Sequence, residues 1–223
     1  MILAGAVLVD GSVATRPAHS IADDATIELI RQGPEYVSRG ALKLDKALDV
    51  WGIDPAGKVA LDVGASTGGF TDLLLQRGAR RVYAVDVGYG QLHYRLRGDP
   101  RVVVMERTNV RHLTELPQLI DLAVVDVSFI SLRLALPPVF KLVKEEIVAL
   151  IKPQFEAGRS QVGRGGVVRD AAVRQQVVHD LEAWSRTQPW RLTEVTESPI
   201  KGPAGNVEFL SHWTPAGIIT AEC

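Results

Sequence analysis

The chain has 223 residues, 46% hydrophobic and 23% charged, with a net charge of −1, which excludes a disordered chain and fits one main globular domain with room for a small appendage. The single cysteine, Cys223, rules out an internal disulfide and points to a reducing compartment. No apolar run approaches the ~20 residues that span a bilayer and no basic segment leads a signal-type core, so a soluble cytoplasmic protein is expected.

Residues 1 to 30 hold Asp10, Asp23, Asp24 and Glu28 against Arg16, so this end is acidic and the remainder slightly basic. Asp10-Gly11 between the β-rich runs Ile2 to Val9 and Ser12 to Ala14 predicts a hairpin, and Ala25 to Leu29 a third strand. That is too little to enclose a core. Arg31 to Pro34 reads as a linker, placed within 31–37, and the main domain is expected over 38–223. Ser38 is expected to cap a helix whose apolar positions are Leu42, Leu44, Ala47, Leu48 and Trp51, ending at Gly52.

From Val59 strands and helices alternate. Strands are predicted at 59–63, 82–86, 101–105 and 121–126, with helices at 68–77 and near 90–97. Further strands follow at 146–151, 191–197 and 207–213, and a helix after Asp170 carries Val173, Val177, Val178, Leu181 and Trp184 on one face. The alternation implies an α/β fold with a mostly parallel sheet covered on both faces. No helix separates the last two strands, so Ser198 to Asn206 closes a hairpin and the final strand runs antiparallel.

The run Val59 to Thr71 joins an apolar strand to a glycine turn that opens a helix, and the next strand ends in Asp86. In such sheets ligands lie across the carboxyl ends of the strands. Gly64, Gly68 and Gly69 would admit backbone close to a cofactor, and Asp86 would accept from ribose hydroxyls. Ala65-Ser66 replace the middle glycine of a dinucleotide fingerprint, and Asp62 places a negative charge beneath the turn. A carboxylate there repels a pyrophosphate and attracts the ammonium and sulfonium of S-adenosylmethionine.

Two more strand ends carry polar groups: Asp126 closes Leu122 to Val125, and Lys152 closes Ile147 to Ile151. A lysine ending an apolar strand is placed to lose solvation, which makes a neutral amine accessible. The plainer alternatives are a turn-forming or helix-capping Asp126 and a snorkelling Lys152. Cys223 is poorly placed for covalent base methylation, Asp126-Val127-Ser128-Phe129 lacks the Pro-Pro segment of exocyclic-amine methylases, and the five histidines show no ligand spacing, so no metal is expected. Methyl transfer to a hydroxyl remains.

Tyr36 to Leu44, Asp62 to Thr71, Val125 to Ser131, Lys152 to Glu156 and Gly165 to Asp170 together resemble the TlyA haemolysin-like family, S4-domain proteins with an FtsJ-like ribosomal RNA 2′-O-methyltransferase domain. The resemblance covers Tyr36 to Trp213 and implies a class I, Rossmann-like methyltransferase fold: seven strands, the last antiparallel. It implies S-adenosylmethionine as cofactor, ribosomal RNA or a ribosomal subunit as partner, and a cytidine ribose as target. The family's Lys-Asp-Lys-Glu tetrad falls on Lys43, Asp126, Lys152 and Glu208. Cofactor contacts fall on Asp62, Gly64, Ala65, Ser66, Thr67, Gly68, Gly69, Phe70, Asp86, Val87, Asn109 and Asp126. RNA contacts fall on Arg39, Arg159, Arg164 and Arg169, the middle two within a glycine-rich loop expected to be mobile. Arg77, Arg80 and Arg81, and Arg95, Arg97 and Arg101, read instead as solvated surface charge. Residues 1 to 30 resemble the second half of an S4 RNA-binding domain. Competing readings are a small-molecule O-methyltransferase and a non-catalytic RNA-binding or haemolysin-like protein.

Overall fold

The computed structural model describes residues 7–14, 16, 20–22, 24–29 and 36–217. It divides into two compact units, Met1–Tyr36 and Val37–Cys223. The smaller unit holds a three-stranded antiparallel sheet in which β1 (Val7–Val9) pairs with both β2 (Ser12–Val13) and β3 (Ile27–Leu29). Asp10 and Gly11 take positive φ at the β1–β2 turn, the backbone that Asp-Gly favours. Ile2 to Ala6 and the linker at Arg31 to Pro34 lie outside the described residues.

In the larger unit α1 (Ala41–Trp51) precedes β4 (Val59–Val63), α2 (Gly69–Gln76), β5 (Arg81–Val85), α3 (Tyr94–Arg97), β6 (Val102–Met105) and β7 (Ile120–Val125). Then come α4 (Leu132–Phe140), β8 (Val143–Ile151), α5 (Pro153–Glu156), α6 (Ala171–Ser185), β9 (Trp190–Glu197) and β10 (Phe209–Pro215). The seven-stranded sheet has the order β6-β5-β4-β7-β8-β10-β9. β4 to β8 pair in parallel, and β10 lies antiparallel between β8 and β9.

Every residue of β4 is buried, as is the stretch Leu122–Val125, because helices cover both faces and neither strand has a solvent side to alternate with. Around the inserted strand the core is aromatic. Phe140 stacks on Trp190 with ring centroids 5.8 Å apart, while Trp184 meets Trp213 edge-on at 6.1 Å. Both buried indoles are satisfied: Trp190 Nε1 donates to the Phe140 carbonyl and Trp213 Nε1 to Ser211 Oγ. These contacts hold β10 in its slot.

Three local expectations change. The N-cap of α1 is Gly40, not Ser38, whose hydroxyl accepts from the Gly40 amide two residues before the helix. Leu42 is exposed and Lys43 instead occupies the buried stripe with Ala41, Leu44, Ala47 and Leu48. The segment between β7 and β8 holds an additional helix, α4, which keeps Pro137 and Pro138 inside it under a Ser131 cap. Proline pairs ordinarily break helices by removing amide donors, and here both are half-buried beyond the first turn of a helix whose Leu132, Ala135, Leu136, Val139 and Phe140 join the core.

Trp213 is fully buried at the centre of this core, so Trp213→Ala should cost about 3–5 kcal/mol in a denaturant melt, whereas Leu42→Ala on the exposed face should change stability by less than about 0.5 kcal/mol.

Candidate active site

Strand register sets the site. Val63 of β4 lies beside Val85 of β5 and Val125 of β7, and Val125 lies beside Ala149 of β8, so the parallel strands end nearly in line. Asp86, Asn109, Asp126 and Lys152 follow those ends along one edge. β10 runs the other way, so its first residue meets the last of β8: Phe209 pairs with Ile151. Glu208, just before that strand, is thereby brought beside Lys152. One turn into α1, Lys43 reaches the same point.

The four side chains form one ionic cluster. Lys43 Nζ donates to Glu208 Oε2 at 2.7 Å and lies 3.8 Å from Asp126 Oδ2. Lys152 Nζ lies 2.6 Å from Asp126 Oδ1, at an angle outside hydrogen-bond geometry, and donates to Ser128 Oγ at 2.8 Å. Lys43, Lys152 and Glu208 are buried at 7%, 8% and 1% exposure, so Lys152 does not snorkel. Asp126 caps no helix, since α4 is capped by Ser131.

A cleft of about 660 Å³ adjoins this cluster at Asp126, the one member of the four that lines it, while Lys43, Lys152 and Glu208 lie buried and outside its lining. Gly64, Ser66, Asp86, Val87 and Asn109 line one end, and Asp126, Ser128 and Phe129 the other. Gly64 carries φ +87°, and a β-carbon there would strike the Asp126 carbonyl, so glycine is what lets the ends of β4 and β7 close together. Asp86 accepts the Ser66 amide on Oδ2 and the Gly88 amide on Oδ1, which folds the glycine turn over the cleft. Carboxylate oxygens retain further lone pairs for ligand hydroxyls.

Other members of the expected cofactor set stand behind this surface. Gly68 faces Leu96 and Leu92, and Gly69 faces Ser38 Oγ and the Ala41 amide, so these glycines allow α2 to pack closely rather than line the cleft. Ala65 and Phe70 are buried and Thr67 is exposed, and none lines the cleft. Asp62 is fully buried, with Oδ2 accepting the Thr71 hydroxyl at 2.6 Å and Oδ1 without a hydrogen-bond partner. Burial, reinforced by the charges of Asp126 and Asp86, pushes its carboxyl up to about 7.

Several functional contacts escaped sequence reasoning. Ser128 binds Lys152, and its signal was only adjacency to Asp126. Glu156, raised above the ordinary carboxylate range by burial, accepts from Ser131 Oγ and the Leu132 amide, both at 2.7 Å. It thus fastens the start of α4 to the segment after Lys152. Phe129 is 91% exposed at φ +64°, a backbone strain that keeps an apolar ring in water at the cleft rim, 5.2 Å from the Phe155 ring. Arg39, Arg159, Arg164 and Arg169 are exposed and form no ion pair among the described residues. By contrast Arg77 pairs with Asp45 and Asp49, Arg97 with Glu106, and Arg101 with Asp99.

The sequence profile of the FtsJ-like methyltransferases matches residues 36–214, the segment that builds the sheet and its ionic edge. The chain belongs to the FtsJ-like methyltransferase family. Among FtsJ-like relatives, the 16S/23S rRNA (cytidine-2′-O)-methyltransferase TlyA of Mycobacterium tuberculosis is 48% identical over 216 residues, covering 94% of this chain and 80% of its own. Hemolysin A of Brachyspira hyodysenteriae is 46% identical over 221 residues, covering 96% and 90%. A solved structure from Streptococcus thermophilus is 42% identical with a TM-score of 0.81, over 97% of this chain and 81% of that one. No helix among the described residues is long and apolar enough to cross a membrane.

The raised Asp62 carboxyl favours the protonated form in the folded protein, so the stability it contributes is complete below the ordinary carboxylate range and is lost as pH rises toward about 7. Asp62→Asn stays neutral throughout. The melting temperature of this variant relative to the unsubstituted protein should therefore climb between about pH 4 and about pH 7 and level off above, in thermal melts without ligand. A difference that stays flat across that window would mean Asp62 ionises normally.

Proposed function

We propose that this protein transfers a methyl group from S-adenosylmethionine to a ribose 2′-hydroxyl of ribosomal RNA, with a cytidine as the target nucleoside. The observation that carries the proposal is the ionic cluster of Lys43, Asp126, Lys152 and Glu208, which meets a nucleoside-sized cleft through Asp126. Methyltransferase activity belongs to the family; the acceptor is inferred from the cluster's chemistry and from the rRNA (cytidine-2′-O)-methyltransferase activity of the M. tuberculosis relative.

The residues fit S-adenosylmethionine. Asp62 presents a buried, unpartnered carboxyl oxygen beneath the glycine turn, and Asp86 and Asp126 give the cleft a negative wall, as a cationic ligand requires; a cation bound there would also favour loss of the Asp62 proton. Gly64 and Ser66 would hold its amino-acid end, Asp86 its ribose, and Val87, Asn109 and Val110 its base. When bound, it supplies an electrophilic methyl group. A dinucleotide pyrophosphate would face the same carboxylates without compensation.

A ribose hydroxyl is a poor nucleophile and needs its oxygen aligned and its proton taken up. Asp126, on the cleft wall, orients Lys152 from one side, and Ser128 accepts from it on the other. Those two contacts hold the Lys152 nitrogen against the Asp126 to Ser128 stretch of the cleft wall. Glu208 holds Lys43 near Asp126, so a second positive group faces the oxygen as charge develops. The exposed Phe129 ring at the rim offers an apolar face to a base, and the exposed Arg39, Arg159, Arg164 and Arg169 offer charge to phosphates. The three-stranded unit at the N-terminus belongs, in this proposal, to an S4-like RNA-binding module.

Labelled methyl transfer to ribosomal subunits tests the proposal, followed by nucleoside analysis of the product. Lys152→Ala should lower the rate by at least about 10²-fold. Lys152→Arg keeps the charge and cannot deprotonate, so activity that survives it assigns an electrostatic role and activity lost with it assigns the proton acceptor. Methyl recovered on a base in place of the 2′-oxygen would refute the assignment. Alanine at Arg159, Arg164 and Arg169 should weaken RNA binding and reduce the salt slope by roughly 0.7–0.9 per lost phosphate contact.

A further inference from the structure

The glycine-rich segment between α5 and α6 is tied down. Arg159–Gln161 forms a short 3-10 turn, the Gly163 amide donates to the Val167 carbonyl at 3.1 Å, and Gly165 and Gly166 take positive φ to close the bend that carries Arg164. The anchor of this loop comes from the hairpin before β10, on the same edge of the sheet. Asn206, 2% exposed, accepts the Val168 amide on Oδ1 and donates through Nδ2 to the Gly166 carbonyl, both at 2.9 Å.

Asn206 sits in the hairpin that delivers Glu208. Its carbonyl accepts the Gly202 amide at 2.9 Å, and Gly202 lies so close to the Glu208 carboxylate that a β-carbon would collide with Oε1. The Ser198 amide donates to the Glu208 carbonyl at 2.9 Å and closes the hairpin from the other side. Glu208 in turn fixes Lys43 at 2.7 Å. One buried amide thus joins the backbone of an arginine-bearing loop to the backbone that aims a carboxylate of the ionic cluster.

We infer that Asn206 is a positioning residue that couples engagement of the Arg164 loop by RNA to the placement of Glu208 and Lys43 at the reacting ribose. A buried side chain using both donor and acceptor on one loop segment leaves little freedom for the loop and the hairpin to move separately. A phosphate that pulls on Arg164 therefore pulls on the hairpin. Correct substrate sharpens the cluster, and the loop contributes to the turnover rate as well as to binding. The inference rests on the RNA-methyltransferase reading proposed above.

A double-mutant cycle on kcat and KM for methyl transfer to ribosomal subunits tests it, with S-adenosylmethionine affinity measured alongside. Alone, Arg164→Ala should raise KM and also lower kcat. Asn206→Ala should lower kcat by roughly tenfold, with cofactor affinity changed by less than about twofold. In the Asn206→Ala background the kcat penalty of Arg164→Ala should disappear while its KM penalty remains. A role confined to stability would leave the two kcat penalties multiplicative, and that result overturns the inference. So does an Arg164→Ala effect confined to KM, or an Asn206→Ala kcat within about twofold of the parent. If Asn206→Ala does not fold, Asn206→Asp serves in the same cycle with the same outcomes, since it keeps the acceptor for Val168 and loses the donor to Gly166. An unsubstituted protein that methylates no ribosomal RNA refutes the reading of function itself, a result distinct from active protein with multiplicative penalties.

Discussion

Two lysines and two carboxylates share a corner of this protein in which Lys43, Lys152 and Glu208 are buried and Asp126 alone reaches the cleft, so their ion pairs stand in for water. Taking an isolated ion out of water costs several kcal/mol even after relaxation, and removing one partner of a buried pair typically costs about 3–5 kcal/mol. The cluster therefore imposes conditions on the rest of the chain. α1 must turn a lysine inward within an apolar stripe, β7 and β8 must end together, and the last strand must arrive from the opposite direction with Glu208 at its head. The aromatic packing of Phe140, Trp184, Trp190 and Trp213 secures that last condition.

What could be read from the chain followed from short-range regularity. The apolar strands ending in Asp86, Asp126 and Lys152, the Asp-Gly turn and the helix-free closing hairpin are local patterns, and each is present in the structure. Lys43 entered only through family resemblance, because on a helical wheel a buried lysine breaks the apolar stripe and nothing nearby announces Glu208, 165 residues away. α4 was hidden by Pro137 and Pro138, whose local cost is overridden by packing against the core. Gly68 and Gly69 have the spacing of a ligand cradle and serve helix packing instead, a distinction that depends on Leu96 and Ser38 lying opposite them.

Asp62 shows how position along a strand differs from access to a site. The residue is at the expected end of β4, yet the glycine turn folds over it and Thr71 takes one oxygen, so it is not in open contact with the cleft. Two carboxylates, Asp86 and Asp126, form the cleft wall, and Asp62 lies deeper, where burial favours its protonated form. Loops on the same edge are fastened by side chains reaching across sequence: Glu156 to the start of α4, and Asn206 to the loop before α6.

The reversed direction of β10 also has a consequence in time. During synthesis Lys43, Asp126 and Lys152 emerge first, leaving one unbalanced positive charge among them, and Glu208 follows only with the closing strand. Until β10 pairs with β8, β9 has no neighbouring strand to join, and the edge of the nascent sheet carries an incomplete set of charges. Neutralising that charge and joining β9 to the sheet are one event, so the final strand completes the site as it completes the fold.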